Sequence, residues 1–266
     1  MKFAPVFVPL LMTLSGTFPV PTMASPIFVE LGLKAGVAFS KLSGSNLERT
    51  DSGPFDLGGG FTGAGFVSSG IQDMKAGFLG GAYGTVHFNE RLAVRLEALY
   101  SMKGGKGGNS GTVDVYDPSN LSNPFIGTIT LTGTNQLSLA YVELPLLGVA
   151  TFPTGETSAF EVFAGPSIAF KTSAKTTQRI TLSSTFAPTQ SGGRTINVAD
   201  SFKSTDWGAT FGAGMIFEHL GHPIFLEARW TMGFTEIDNT GSGQDWKNSA
   251  LALGAGIGFP IVSTSR

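Results

Sequence analysis

Apolar and polar residues alternate one for one along most of the chain, the period of a β-strand. In 139–152, Val142, Leu144, Leu146, Gly148, Ala150 and Phe152 share one face, and Tyr141, Glu143, Pro145, Leu147, Val149 and Thr151 share the other. Seven more segments follow the same rule: 28–41, 74–88, 91–103, 159–173, 205–218, 224–237 and 248–262. In each, one face is cleanly apolar and the charges stand on the other. A soluble barrel of lipocalin type would turn its charges outward and its aromatics inward. Read as lipid-facing, the cleaner face predicts an all-β fold: an eight-stranded, antiparallel, up-and-down transmembrane β-barrel, apolar outside and polar inside.

The links between segments alternate in length. Asn89-Glu90, 153–158 and 219–222 are short; 42–73, 104–138 and 174–204 are long. Outer-membrane barrels have short periplasmic turns and long external loops, so an even strand number leaves both termini in the periplasm. Two long loops hold further strand-like runs, 112–116 with 125–131 and 179–183 with 194–198. These predict hairpins above the membrane, whose edges offer pairing to a partner strand. The run from Gly58 to Gly65 looks like a phosphate loop only superficially: it lacks the following Lys-Ser/Thr and a βα unit, and reads as a flexible external loop.

Aromatics on the outward faces fall into two sets. Phe88, Phe152, Phe160, Phe217 and Phe259 sit near short turns or the C-terminal end; Phe39, Phe78, Tyr100, Phe170, Trp207 and Phe234 sit at the opposite ends. They predict girdles at the two membrane interfaces. The inward faces carry Glu30, Lys34, Lys75, Arg95, Glu97, Glu143, Glu161, Lys171, Glu227 and Arg229. Strands three and seven of an eight-stranded barrel face each other, so Arg95 and Glu97 oppose Glu227 and Arg229. With Lys34 and Glu143 they form a candidate lumen charge network. Eight strands leave an interior just wide enough for side chains, and unpaired charges there are costly, so the network is expected to be paired. Inward glycines at 208, 212, 214, 254, 256 and 258 make room for its long side chains. The network reads as a plug that mostly closes the lumen; the competing reading is a narrow, porin-like path for ions or small solutes.

Composition sharpens this picture. Only 14% of the 266 residues are charged, against roughly a quarter in ordinary soluble domains, while glycine (37) and phenylalanine (22) are abundant. No run reaches the roughly 18 apolar residues of a membrane helix. A formal charge of −2 gives no electrostatic case for nucleic acid, and the absence of cysteine excludes disulfides and thiolate chemistry. At the start, Lys2, the apolar stretch 3–14 and Thr22-Met23-Ala24 read as a signal peptide, 1–24, removed to leave a barrel domain, 25–266. No catalytic set is recognised. His87, His219 and His222 all fall near the periplasmic rim, and His219 with His222 reads as solvated turn histidines rather than a metal site. No cofactor is expected.

Several stretches resemble the PorT-like family of outer-membrane β-barrel proteins. They are Gly80-Gly81-Ala82, the run from Arg91 to Gly104, Tyr141-Val142-Glu143-Leu144-Pro145-Leu146-Leu147, Phe163-Ala164-Gly165-Pro166, Asp206-Trp207-Gly208 with Gly212 and Gly214, and Leu226-Glu227-Ala228-Arg229-Trp230. Leu96–Met102 and Leu226–Met232 also resemble each other, which hints at an internal repeat of hairpins. The resemblance implies a barrel of the bacterial outer membrane; its named member is similar to a protein-secretion component. The expected partners are outer-membrane lipid, the outer-membrane assembly machinery, and an extracellular protein or surface ligand at the long loops, with the barrel itself a monomer. The expected role is structural or surface-interacting. The chain ends after Phe259 in Pro-Ile-Val-Ser-Thr-Ser-Arg266, so Phe259 is the expected substitute for the terminal aromatic of an assembly signal.

Overall fold

A computed structural model describes residues 28–120, 122, 124–241 and 245–263; the signal peptide expected at 1–24 lies outside the described residues. The strands in chain order are β1 (Phe28–Ser43), β2 (Glu48–Gly58), β3 (Phe61–Gly70), β4 (Lys75–His87), β5 (Leu92–Tyr116), β6 (Phe125–Pro153), β7 (Ser158–Ser184), β8 (Gln190–Asn197), β9 (Thr205–His219), β10 (His222–Gly233) and β11 (Lys247–Ser263). Eight of them close a ring in the order β1, β4, β5, β6, β7, β9, β10, β11 and back to β1, with every seam antiparallel. The closing seam pairs β1 with β11 from Phe28↔Ser263 to Ser43↔Lys247, with a single bulge at Val29/Glu30. Closure satisfies the backbone groups that hydrocarbon cannot.

The period-two pattern sets which way each side chain points. Along β5, Leu92, Val94, Leu96 and Tyr100 are exposed, while Ala93, Arg95, Glu97 and Leu99 are buried. The exposed set would destabilise a barrel in water; here it forms the lipid-facing surface.

The runs at 112–116, 125–131 and 179–183 extend β5, β6 and β7, and 194–197 falls in β8, so the expected hairpins are formed as continuations of the barrel strands. β6 alone has 29 residues, roughly 95 Å of strand at about 3.3 Å per residue, against a hydrocarbon core of about 30 Å. Beyond the barrel, β3 takes the place of β4 beside β5, and β8 takes the place of β9 beside β7. The result is an open sheet in the order β2-β3-β5-β6-β7-β8. The glycine-rich run is likewise a hairpin and not a flexible loop. Gly58, Gly59 and Gly60 all have positive φ (77°, 62° and 87°), which lets three residues reverse the chain between β2 and β3. Further along, a Cβ at Gly65 would stand 1.9 Å from the Thr112 carbonyl oxygen, so the close β3–β5 approach needs glycine there.

One cross-strand row of this sheet, Thr50, Ser68, Ser110, Thr132, Thr181 and Ser191, carries a hydroxyl on every strand. The row continues the lipid-facing side of the barrel, because β6 has Val142, Leu144 and Leu146 on the same face as Thr130, Thr132 and Thr134.

Short turns join the other ends. The Asn89 carboxamide oxygen accepts from the Arg91 and Leu92 amides, both at 2.8 Å. Between β9 and β10 the turn has two central residues, Leu220 (φ 52°) and Gly221 (φ 78°), inside the His219↔His222 pair. Another correction concerns the segment expected to be strand as far as Ile237. β10 stops at Gly233, and Ile237 and Trp246 pack into an apolar cluster with Leu42, Leu139 and Phe202 instead.

Candidate functional site

The lumen is a stack of polar layers. At its centre the Lys34 ammonium (β1) contacts Glu97 (β5) at 2.7 Å and Glu227 (β10) at 2.9 Å. The Arg229 guanidinium (β10) reaches across to Glu97 at 2.8 and 2.9 Å, and its Nε lies 2.9 Å from Glu227 without the alignment of a hydrogen bond. Two cations and two carboxylates therefore alternate across the barrel, and all four are buried. The pairing follows from topology, since β5 and β10 stand opposite in an eight-membered ring.

Arg95 does not join this quartet. It turns towards the short-turn end, where its two terminal nitrogens donate to the Glu161 carboxylate at 3.1 and 2.8 Å and its Nε donates to Thr85. An aromatic partition lies against both Arg95 and Lys34: Tyr83 and Phe225 meet edge to face with centroids 5.5 Å apart. Each of the two cations stands 5.2 to 5.8 Å from both ring centres. The inward glycines serve these rings as much as the charges. A Cβ at Gly256 would stand 2.2 Å from Phe225 Cζ, one at Gly32 2.3 Å from Tyr83 Cζ, and one at Gly212 2.6 Å from Phe163 Cζ. Below the partition, Tyr83 donates to Glu30 at 2.7 Å, and His87, stacked on Phe28, lies 3.7 Å from the same carboxylate.

Glu143 also lies apart from the quartet, nearer the long-strand end. It pairs with Lys103 at 2.6 Å and accepts from the Ser101 hydroxyl. Asp206, Asn248 and Tyr141 form a neighbouring set, with Asn248 donating to the other two at 2.9 and 3.2 Å. Lys103 is missing from the sequence-based network although its parity beside outward Met102 places it inside. Tyr83, Phe225 and Phe163 were legible in the same way, as the inward beat of alternation carried to uncharged residues. Lys75 donates to the Lys103 carbonyl, and Lys171, opposite inward Tyr141, donates to the carbonyls of Ala199 and Phe202.

Above these polar layers the mouth carries an apolar lid. Leu42, Leu137, Leu139, Tyr141, Ala169, Ala174, Phe202 and Ile237 are buried together, with Leu47, Ile71 and Trp246 packed against them. Phe202 and Ile237 come from the segments before β9 and after β10, and the Lys203 amide donates to the Ile237 carbonyl at 2.8 Å. The lid is latched to the β1–β2 link. Trp246 Nε1 donates to the Ser45 carbonyl at 2.8 Å, and Asp245 accepts from the Ser45 amide and hydroxyl at 2.5 and 2.7 Å. Those two donors hold the Asp245 carboxyl below the usual carboxylate range.

Phe39, Phe78, Tyr100, Phe170, Trp207 and Phe234 are all exposed near the long-strand end of the barrel, and Phe88, Phe152, Phe160, Phe217 and Phe259 near the other. Phe88 and Phe234 stand one residue past the ends of β4 and β10. His219 and His222 face each other at the β9–β10 turn. Among the described residues no group of His, Cys, Asp and Glu side chains is placed to hold a metal ion.

The chain is similar to solved outer-membrane barrels. Ail of Yersinia pestis shares 15% identity with it over 87% of this chain and 99% of that one, with a TM-score of 0.35. Neisserial surface protein A shares 10% over 86% and 97%, with a TM-score of 0.36. OprG of Pseudomonas aeruginosa shares 13% over 89% and 99%, with a TM-score of 0.33. No curated protein matches the sequence. The model of the outer membrane protein beta-barrel domain matches residues 19–239, most of the chain, and the protein belongs to that family.

Proposed function

We propose that this outer-membrane barrel is a non-enzymatic, monomeric anchor whose filled lumen stiffens it, and whose work is done by the open sheet it raises beyond the membrane. In this reading residues 1–24 are an export signal, the short turns and both termini face the periplasm, and the long strands face outward. The two aromatic sets meet the lipid interfaces, and the assembly machinery inserts the chain. The resemblance to PorT-like barrels fits the same architecture.

One observation carries the reading: the Lys34–Glu97–Arg229–Glu227 quartet spans the barrel, and an apolar lid lies over it. An ion moving through would have to separate paired buried charges and then pass an apolar layer, and each step opposes conduction.

Planar-bilayer recording of the refolded protein tests this. The native protein is expected to be silent, and a variant combining Glu97→Ala, Arg229→Ala, Phe202→Ser and Ile237→Ser to conduct. Steady unitary conductance in the native protein, altered by Arg95→Ala or Glu227→Ala, would replace this reading with a narrow ion path.

A further inference from the structure

The open sheet has two free edges, β2 and β8, and they are not alike. β2 carries Pro54 with Glu48, Arg49, Asp51 and Asp56, features that discourage pairing with another chain. β8 (Gln-Ser-Gly-Gly-Arg-Thr-Ile-Asn) has no proline and one charge, and every residue of it is exposed. Nothing along its sequence defends that edge.

Counting around the ring shows what is missing. β2, β3, β5, β6, β7 and β8 occupy the positions of β1, β4, β5, β6, β7 and β9, so among the described residues no strand stands above β10 and β11. Between β10 and β11, Ile237 and Trp246 pack into the lid, where Ile237 is fully buried. Neighbours in the open sheet are antiparallel throughout, so β2 and β8 run in opposite directions. Two further strands, themselves antiparallel, continue that alternation from β8 round to β2. A single strand, or a pair of parallel ones, does not.

Charge and shape narrow the occupant. The β8 side carries Lys175, Arg179 and Arg194, with no acidic residue on β8 or on β7 beyond Glu161. The β2 side carries three acids and Arg49, which is paired with Asp51 at 2.9 Å. Beside β8 a cavity of about 440 Å³ is lined by Ile180, Leu182, Gly192 and Arg194. Gly192 opposes Ile180, and a Cβ there would meet nothing within 4 Å.

We propose that the open side of this sheet accepts a β-hairpin from a partner protein. Its leading strand adds antiparallel to β8, places an apolar side chain in the cavity beside Gly192, and presents acidic residues to Arg179 and Arg194. Its second strand carries basic residues towards β2. Main-chain pairing supplies affinity, and the cavity with the charge order supplies specificity. The proposal rests on the outward-facing sheet of the previous section, though not on the closed lumen.

The probes are fluorophore-labelled, disulfide-cyclised hairpin peptides titrated into the refolded full-length protein in micelles and read by anisotropy. One has a valine-rich acidic strand and a basic strand. A second has the charges exchanged between the strands, so that the valine-rich strand is basic and the other acidic, and seating the valines beside β8 brings bases there and acids to β2. A third is a linear scramble. The first is expected to bind, with the second about tenfold weaker and the scramble inert. Arg179→Glu with Arg194→Glu should invert the order of the two hairpins, and Gly192→Trp should weaken both while leaving urea unfolding unchanged. The peptide-side charge exchange needs no protein variant and stands even where a variant misfolds.

Equal binding of both hairpins, or binding of neither, overturns the proposal. So does sedimentation showing native self-association that Gly192→Trp abolishes, because the occupant is then a second copy of this chain. Bilayer conductance by the same preparation would sink the filled-lumen reading and leave the hairpin result standing.

Discussion

Glu97 is fully buried and bears two cations on one carboxylate, Lys34 on one oxygen and Arg229 on both. Removing it leaves two buried cations to share Glu227. Glu97→Ala is therefore expected to cost about 3–5 kcal/mol in urea unfolding from lipid vesicles. Exchanging the whole quartet for methionine and leucine of matching volume should cost far less, because no charge is then left unpaired. At the mouth, the Asp245 carboxyl is held low by the Ser45 amide and hydroxyl. A carboxyl depressed on folding adds stability above its unfolded pKa, and that contribution is lost as pH falls through the lower, folded value. Trp246 fluorescence should report release of the latch below the ordinary carboxylate range, and Asp245→Asn should abolish that acid transition. Parity of the sequence was enough to place these charges inside. It could not name their partners. Arg95 pairs with Glu161 and not with Glu97 or Glu227, and its guanidinium packs on the Tyr83 and Phe225 rings, contacts that have no signature in alternation.

The barrel strands were legible as elements because lipid on one side and a polar lumen on the other impose a strict beat of two. That beat weakens where both faces of a strand meet water, so β2, β3 and the outer halves of β5, β6 and β7 read as loops or isolated runs. Gly58, Gly59 and Gly60 are a turn for conformational reasons that composition alone does not separate from flexibility. The lid was missed for another reason: Ile237 falls on the inward beat of Glu227 and Arg229, and alternation does not show that the chain leaves the strand after Gly233. At the β9–β10 turn a two-residue hairpin requires positive φ at both central positions, and Leu220 meets that requirement against its side-chain sterics. Leu220→Gly or Leu220→Asn should stabilise the barrel by about 1 kcal/mol in the same urea assay. An unchanged midpoint would mean that the turn relaxes without cost.

For the whole molecule, ring closure separates two tasks. The closed part has no free edge and satisfies its backbone within lipid; the open part keeps two edges where water can reach them. The polar stack and the lid share Tyr141 but otherwise rest on different side chains, so loss of the lid should not unfold the barrel. Phe202→Ser with Ile237→Ser is expected to keep the heat-modifiable electrophoretic shift of a folded barrel while exposing Trp246 to soluble quenchers. Loss of the shift would show that the lid belongs to the folding core.

The row of hydroxyls from Thr50 to Ser191 has a consequence for height. On β6, Thr132 stands ten residues beyond Val142, which pairs with the girdle residues Tyr100 and Phe170, and that is roughly 33 Å of strand at about 3.3 Å per residue. A face so far beyond the girdle stays in water whatever the bilayer. The protein thus carries a hydrated wall across six adjacent strands and leaves its depth to the girdles. In a thicker bilayer it should tilt or thin the lipid around itself, and its wall should stay wet throughout.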